Sequence, residues 1–347
     1  MVPRTQRQWA RGRCCRRPAR ADYAPPVPRH FLTGEELEFD ELSRLLERSL
    51  ELKAARAALF GGATAGAAGG APAGALAGRS VALLFEKPST RTRISFEVAV
   101  DELGGHPLVL REGETQLARG ESVRDTALVL SRLVHAVGIR TGSHDLAEEL
   151  AAHATVPVVN MLTADHHPCQ ALADLVTLRE RFGRTAGLRL AYVGDGNNVT
   201  ASLMLLGARA GLEVAVATPD KLAPRRGVVE AAERAAGEGG SVTLTTDPSE
   251  AAAGAHALYT DVWVSMGDES EAKPRRDLLE PYRLDAALFG QARDDAVALH
   301  CLPAHPGEEI TEDVLYGERS AAWDQAENRL HAQKALLELL LVAAERR

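Results

Sequence analysis

The sequence predicts an α/β chain of two doubly wound domains, each a central parallel sheet flanked by helices. Three observations predict this. Short apolar runs alternate with helix-like stretches along almost the whole chain, which is the pattern of parallel strands joined by crossover helices. The alternation occurs in two runs, one on each side of the long helical stretch His167–Phe182. The chain has 347 residues, enough for about two domains, with 45% hydrophobic and 25% charged residues, an ordinary globular balance.

The elements follow in order. Thr33 with Glu36 has the form of a capping box, so a helix is expected from there to about Ala58. Val81–Phe85 is short and apolar, a buried strand. Thr92–Leu103 has helical spacing and stops at Gly104-Gly105. Leu108–Leu110 is a strand, Ser122–Leu133 a helix, Ala136–Arg140 a strand, Asp145–His153 a helix, and Val156–Asn160 a strand. After the long helix, strands are expected at Leu188–Val193, Glu213–Ala217, Val242–Thr245, Ala257–Thr260 and Val297–Leu299. Helices are expected at Asn198–Ala210, Gly227–Ala236, Pro248–Ala253 and Ala321–Val342. The domain division read from this is 1–29 a disordered basic extension, 30–165 and 166–325 the two domains, and 326–347 a closing helix.

Two segments stand outside the pattern. Residues 1–29 hold eight Arg and one acid, Asp22, while the chain as a whole carries −8. The arm has no apolar h-region, so a secretory signal is not expected. Gly61–Gly78 has 15 Ala or Gly among 18 residues and reads as a flexible insertion. The acidic body argues against a nucleic-acid backbone binder. No run of 18 apolar residues exists, so no membrane span is expected. Four Cys in so long a chain suit free thiols in a reducing, cytoplasmic compartment.

In parallel sheets, ligands sit at the carboxyl ends of the strands. After Phe85 the chain reads Ser89-Thr90-Arg91-Thr92-Arg93 and opens a helix. Free N–H groups, hydroxyls and two guanidiniums at a helix start make a phosphate site. Arg140 ends another strand. His166-His167-Pro168-Cys169-Gln170 opens the long helix, and His167 and Gln170 read as neutral hydrogen-bond donors to an oxyanion. No zinc-spaced partner cluster accompanies them, so no metal is expected. Gly194-Asp195-Gly196-Asn197-Asn198 lacks the third glycine of a dinucleotide fingerprint, because Val199 stands there. Asp261 could balance a substrate ammonium or cap a loop. Cys301, after His300, is a candidate nucleophile or simply a buried thiol.

Together these segments resemble the aspartate/ornithine carbamoyltransferase family. Ser89–Arg93 and His167–Gln170 are similar to motifs shared by both branches. Gly194–Asn198, Asp261–Gly267 and His300–Pro303 resemble the ornithine branch alone. The resemblance implies that Ser89, Thr90, Arg91 and Thr92 hold the phosphate of carbamoyl phosphate, and that Arg140, His167, Gln170 and Arg329 meet its carbamoyl end. Arg329 lies on the closing helix, which the resemblance brings back onto the first domain. Asn198, Asp261, Ser265 and Met266 would hold ornithine, with Cys301 and Leu302 between the two substrates. Gln116 would reach a neighbouring subunit's site in a homotrimer. Arg140, His167, Asp261 and Cys301 would carry the catalysis, without a cofactor, giving citrulline for arginine biosynthesis. Two positions depart from the family pattern: Ala201 stands where many relatives have His, and Pro306 where bacterial relatives often have Arg. Two other readings stay open, a carbamoyltransferase for another amine such as putrescine and a catalytically silent binding relative.

Overall fold

The computed structural model describes residues 28–60, 74–264 and 272–342. It contains two all-parallel sheets. The first has the order β2-β1-β3-β4, built from β1 (Ser80–Phe85), β2 (His106–Arg111), β3 (Ala136–Arg140) and β4 (Val158–Leu162). The second has the order β7-β6-β5-β8-β9, built from β5 (Arg189–Val193), β6 (Glu213–Ala217), β7 (Ser241–Thr245), β8 (Ala257–Thr260) and β9 (Val297–His300). The helices are α1 (Phe39–Phe60), α2 (Thr90–Glu102), α3 (Val123–Leu133), α4 (His144–His153), α5 (Pro168–Phe182), α6 (Asn198–Arg209), α7 (Arg226–Ala235), α8 (Pro248–Ala252), α9 (Ala272–Leu279), α10 (Ala286–Phe289), α11 (Glu312–Leu315) and α12 (Ala322–Leu341).

Strand alternation divides the cores. Ala82 and Leu84 face α3 and α4, where they pack with Ala127, Ala147 and Leu150. Val81, Leu83 and Phe85 face the other way, into a core shared with Phe96 of α2, Leu172 of α5 and Leu336 of α12. The same core takes in Leu190 and Tyr192 of β5, so it is continuous between the sheets, whereas Ala191 and Val193 face a separate core with Leu258 and Phe289. Burial on both faces is why these strands read as unbroken apolar runs. α12 packs against α1, α2 and α5, which returns the end of the chain to the first sheet. Arg79 donates to the Leu341 carbonyl at 2.8 Å, and Lys334 pairs with Glu102 at 2.8 Å.

Some expectations are corrected. The first helix starts at Phe39, not Thr33. Glu36 does not close a capping box: its carboxylate accepts from the N–H groups of Leu32, Thr33 and Gly34, at 2.7, 3.1 and 2.8 Å, and so builds a turn. Gly34 has φ 104° there, and a Cβ on it would lie 2.7 Å from Leu206. β4 runs two residues later than expected, and β2 is longer at both ends. The basic extension lies outside the described residues except for 28 and 29, and Arg29 belongs to the fold, pairing with Glu41 at 2.6 Å. The Ala/Gly insertion lies outside them up to residue 73. Its last part is docked: Leu76 is fully buried, and its N–H donates to Leu103 at 2.8 Å. Among the described residues, no helix is long and apolar enough to cross a membrane.

Candidate active site

In each sheet the strand order reverses once, between β1 and β3 in the first and between β5 and β8 in the second. The crevice outside such a reversal is where side chains from two loops can converge.

At the first reversal, Ser89 caps α2. It has an extended backbone, and its hydroxyl accepts from the Thr92 N–H at 3.3 Å. This turns the start of α2, with its unpaired N–H groups and positive dipole end, toward the end of β3. Thr92 is fully buried, and its hydroxyl oxygen accepts from Arg329 at 2.7 Å and Arg140 at 3.5 Å. Arg140 is held at the end of its strand, where its carbonyl accepts from the Glu86 N–H at 3.0 Å. Burial and the nearby Arg329 and Arg91 guanidiniums push its pKa down to about 10, so it keeps its charge at neutral pH. Arg329 is likewise lowered, chiefly by burial. The Nε atoms of Arg140 and Arg329 are buried and without a hydrogen-bond partner. Buried like charges with unused donors form a receptor for an anion.

His167 caps α5 with Pro168 following it, and its N–H donates to Ser202 at 2.8 Å. Burial first, then Arg329 and Arg140, hold its pKa well below the ordinary value, so the ring is neutral. Gln170, one turn on, is buried and does not offer the expected donor to an oxyanion: its Nε2 donates to Asp174 at 2.8 Å, which leaves Oε1, an acceptor, without a partner.

At the second reversal, Asn197 caps α6, accepting from the N–H groups of Val199 and Thr200 at 2.9 and 3.2 Å. Its Nδ2 donates to Asp261 at 2.8 Å, across the reversal. Cys301 donates to the other Asp261 oxygen at 2.8 Å. Burial and the Asp261 carboxylate push the Cys301 thiol well above its ordinary pKa, so it stays protonated. A protonated thiol is a poor nucleophile. Leu302 has φ 58°, a costly region for a branched side chain, and its N–H donates to His300 Nδ1 at 2.9 Å. His300 Nε2 faces Glu309 at 3.1 Å in a fully buried pair. Cys301, at the end of β9, lies within electrostatic reach of Arg329 and Arg140.

Two matched segments of one family correspond to the two halves of this arrangement. The family model described as aspartate/ornithine carbamoyltransferase, carbamoyl-P binding domain, matches residues 29–180, and the one described as Asp/Orn binding domain matches residues 186–340. The chain belongs to the aspartate/ornithine carbamoyltransferase family. An ornithine carbamoyltransferase of Parafrankia sp. (strain EAN1pec) is 54% identical over 314 residues, covering 90% of this chain and 96% of that protein. One from Acidothermus cellulolyticus is 53% identical over 317 residues, covering 91% and 97%. The solved ornithine carbamoyltransferase of Pyrococcus furiosus superposes with a TM-score of 0.84 at 45% identity, covering 91% of this chain and 98% of that one.

Of the residues the family resemblance singles out, Thr92, Arg140 and Arg329 are in contact. Arg91 and His167 lie within electrostatic reach of that trio, and Asp261 and Cys301 form the second pair. Asn198 is nearby but donates to the Thr163 carbonyl at 2.6 Å. Gln116 is exposed, before a short turn at Leu117–Arg119, with no side-chain partner on this cluster. Ser265 and Met266 lie outside the described residues.

Four residues the sequence reading missed hold the others in place. They are Asn197, Ser202, Asp174 and Gln325. Asp174 was detectable, since it is four residues after Gln170 on one helix and therefore on the same face.

The Cys169 thiol, beside His167, donates to the Asn160 carbonyl at 3.3 Å, and burial pushes it up to about 12. Among the described residues, candidate donor groupings occur at Asp261, His300 and Cys301 and at His305, Glu308 and Glu309. In the first, both His300 nitrogens already face Leu302 and Glu309.

Proposed function

We propose that this chain transfers the carbamoyl group of carbamoyl phosphate to the δ-amine of L-ornithine, giving L-citrulline and phosphate, a step in arginine biosynthesis. The observation that carries the reading is the convergence of Thr92, Arg140 and Arg329 opposite the Asp261–Cys301 pair. An anion receptor facing a carboxylate suits an acyl phosphate meeting an amine.

The phosphate would lie on the start of α2, held by Ser89, Thr90, Arg91 and Thr92, with Arg140 and Arg329 extending to the carbamoyl oxygen. His167 is neutral and suits the role of a donor that polarises that oxygen. Leu302 would line the space between the substrates. Asp261 and Cys301 would position the δ-amine. Its neutral form is favoured by desolvation and by Arg140 and Arg329. The amine nitrogen bonds to the carbamoyl carbon, the carbon–oxygen bond to phosphate breaks, and phosphate takes up the released proton. Cys301 forms no covalent bond in this scheme.

Asn198, Ser265 and Met266 would hold the amino-acid end of ornithine, which putrescine lacks. Residues 30–165 would form the carbamoyl-phosphate side and 166–325 the ornithine side, with 326–347 returning Arg329 to the first. The exposure of Gln116 suits a residue that completes a neighbour's site in a homotrimer. A cytoplasmic setting suits the free thiols of Cys169 and Cys301.

The test is the stoichiometry of turnover. Purified full-length chain mixed with carbamoyl phosphate and ornithine should release one phosphate for each citrulline. Phosphate release without citrulline would refute the transfer.

A further inference from the structure

Asp174 has no part in the transfer step, yet it occupies the centre of a buried amide network. It is fully buried on α5. Its Oδ1 accepts from Gln170 Nε2 at 2.8 Å and from Gln325 Nε2 at 2.7 Å. Gln325 Oε1 in turn accepts from the His300 N–H at 2.9 Å, one residue before Cys301. The opposite end of the Gln170 amide, Oε1, is buried with no partner in the protein. A primary amide bound through its nitrogen to an acceptor oxygen cannot turn over without setting oxygen against oxygen. Asp174 therefore decides which end of Gln170 is left for a ligand.

We propose that Asp174 is a positioning residue that fixes the Gln170 amide with its carbonyl oxygen toward the ligand, and so selects an acyl phosphate bearing an N–H on its acyl carbon. This rests on the reading of Gln170 as a residue at the carbamoyl end. A carbamoyl amino group satisfies Oε1. The methyl of acetyl phosphate, of nearly the same size, leaves it buried and unpaired. A site built to hydrogen-bond a polar group rejects the analogue lacking it far more strongly than an apolar pocket rejects a change in size. Through Gln325 the same oxygen also ties the amide orientation to the main chain at His300. The device does not depend on the charge of Asp174. Burial pushes its carboxyl up to about 7, against the opposing pull of Gln170, Gln325, Tyr259 and Arg329. With the proton on Oδ2, Oδ1 still accepts from both amides.

The experiment compares kcat/KM for carbamoyl phosphate and acetyl phosphate, with ornithine as acceptor, in the full-length chain and in Asp174→Asn and Asp174→Leu. The wild type should favour carbamoyl phosphate by at least about 100-fold. Asp174→Asn retains an oxygen at the Oδ1 position and should keep the preference within about fivefold. Asp174→Leu should lower it by at least about tenfold, through a raised KM for carbamoyl phosphate, with the KM for ornithine within about threefold. A folded Leu variant with the wild-type preference overturns the proposal. If the Leu variant does not fold, Asp174→Ala, which leaves room for water, decides by the same ratio. Equal use of the two acyl phosphates by the wild type also overturns it. A wild type that makes no citrulline overturns the underlying functional reading instead.

Discussion

Arg329, on the last helix, donates to the hydroxyl of Thr92, in the first turn of α2, at 2.7 Å across 237 positions of sequence. The bond joins the end of the chain to the start of the anion receptor. It gives one buried guanidinium a neutral partner beside the like charges of Arg91 and Arg140. Thr92→Val keeps the shape and removes the oxygen. A buried charged donor without its acceptor costs about 1–3 kcal/mol or more. Thr92→Val should therefore lower the melting temperature by several degrees and cut kcat/KM for carbamoyl phosphate at least about tenfold. Differential scanning calorimetry and initial rates check both.

The crowding of Arg91, Arg140 and Arg329 predicts stabilisation by anions. A bound dianion relieves their repulsion, and any ligand that binds only the folded state raises its stability by mass action. Inorganic phosphate at millimolar concentration should raise the melting temperature of the wild type more than chloride of equal ionic strength. Arg91→Ala should lose most of that gain and nearly all turnover. An unchanged phosphate response in Arg91→Ala would remove the phosphate from the start of α2.

Asp261 takes two hydrogen bonds, from Asn197 and Cys301, and is the only carboxylate of the second pair. Asp261→Asn should reduce kcat by about 100-fold or more, an effect of the size seen when a preorganised group is removed from an acyl-transfer site. Binding of carbamoyl phosphate, measured by calorimetric titration, should stay intact. A raised KM for ornithine with unchanged kcat would place Asp261 in binding shared equally by ground and transition states.

Asp174 makes stability pH-dependent in a definite sense. Its folded pKa is raised from 3.8 to about 7, so the folded chain holds a proton there that the unfolded chain has lost. That contribution is fully present below about pH 4 and is lost as the pH rises through about 7. Asp174→Asn does not titrate, so its melting temperature should gain on that of the wild type as the pH goes from 5 to 8. His166 and His167, whose pKa values are lowered, titrate in both chains and cancel in the comparison. A constant difference across that range would mean that Asp174 is ionised throughout.

Much of this was legible in the sequence, and the exceptions share a cause. The central strands β1, β3 and β8 were readable because burial on both faces leaves them almost wholly apolar. Ser89, Arg140 and His167 were readable because they follow strands or open helices, where the fold puts ligands. Thr33 and Glu36 misled because the capping-box spacing also fits a turn in which one carboxylate gathers three N–H groups, a distinction that needs the chain's path at Gly34. α9, α10 and α11 were missed because they are short and carry no full apolar period. Leu76 was hidden inside a low-complexity run, although one Leu can anchor such a run in a core. Asn197 and Asn198 are adjacent and chemically identical. Only the structure shows that Asn197 is the one that caps α6 and binds Asp261.

On the proposed function, this site joins carbamoyl phosphate to the δ-amine of ornithine in preference to other amines. The most direct measurement is a competition. The full-length chain is given carbamoyl phosphate with equimolar ornithine, putrescine and aspartate, and the carbamoylated products are quantified by mass spectrometry. Citrulline should exceed each other product by at least about 100-fold, the discrimination available to a site that pairs with polar groups its competitors lack. Carbamoylputrescine or carbamoylaspartate as the main product would contradict it.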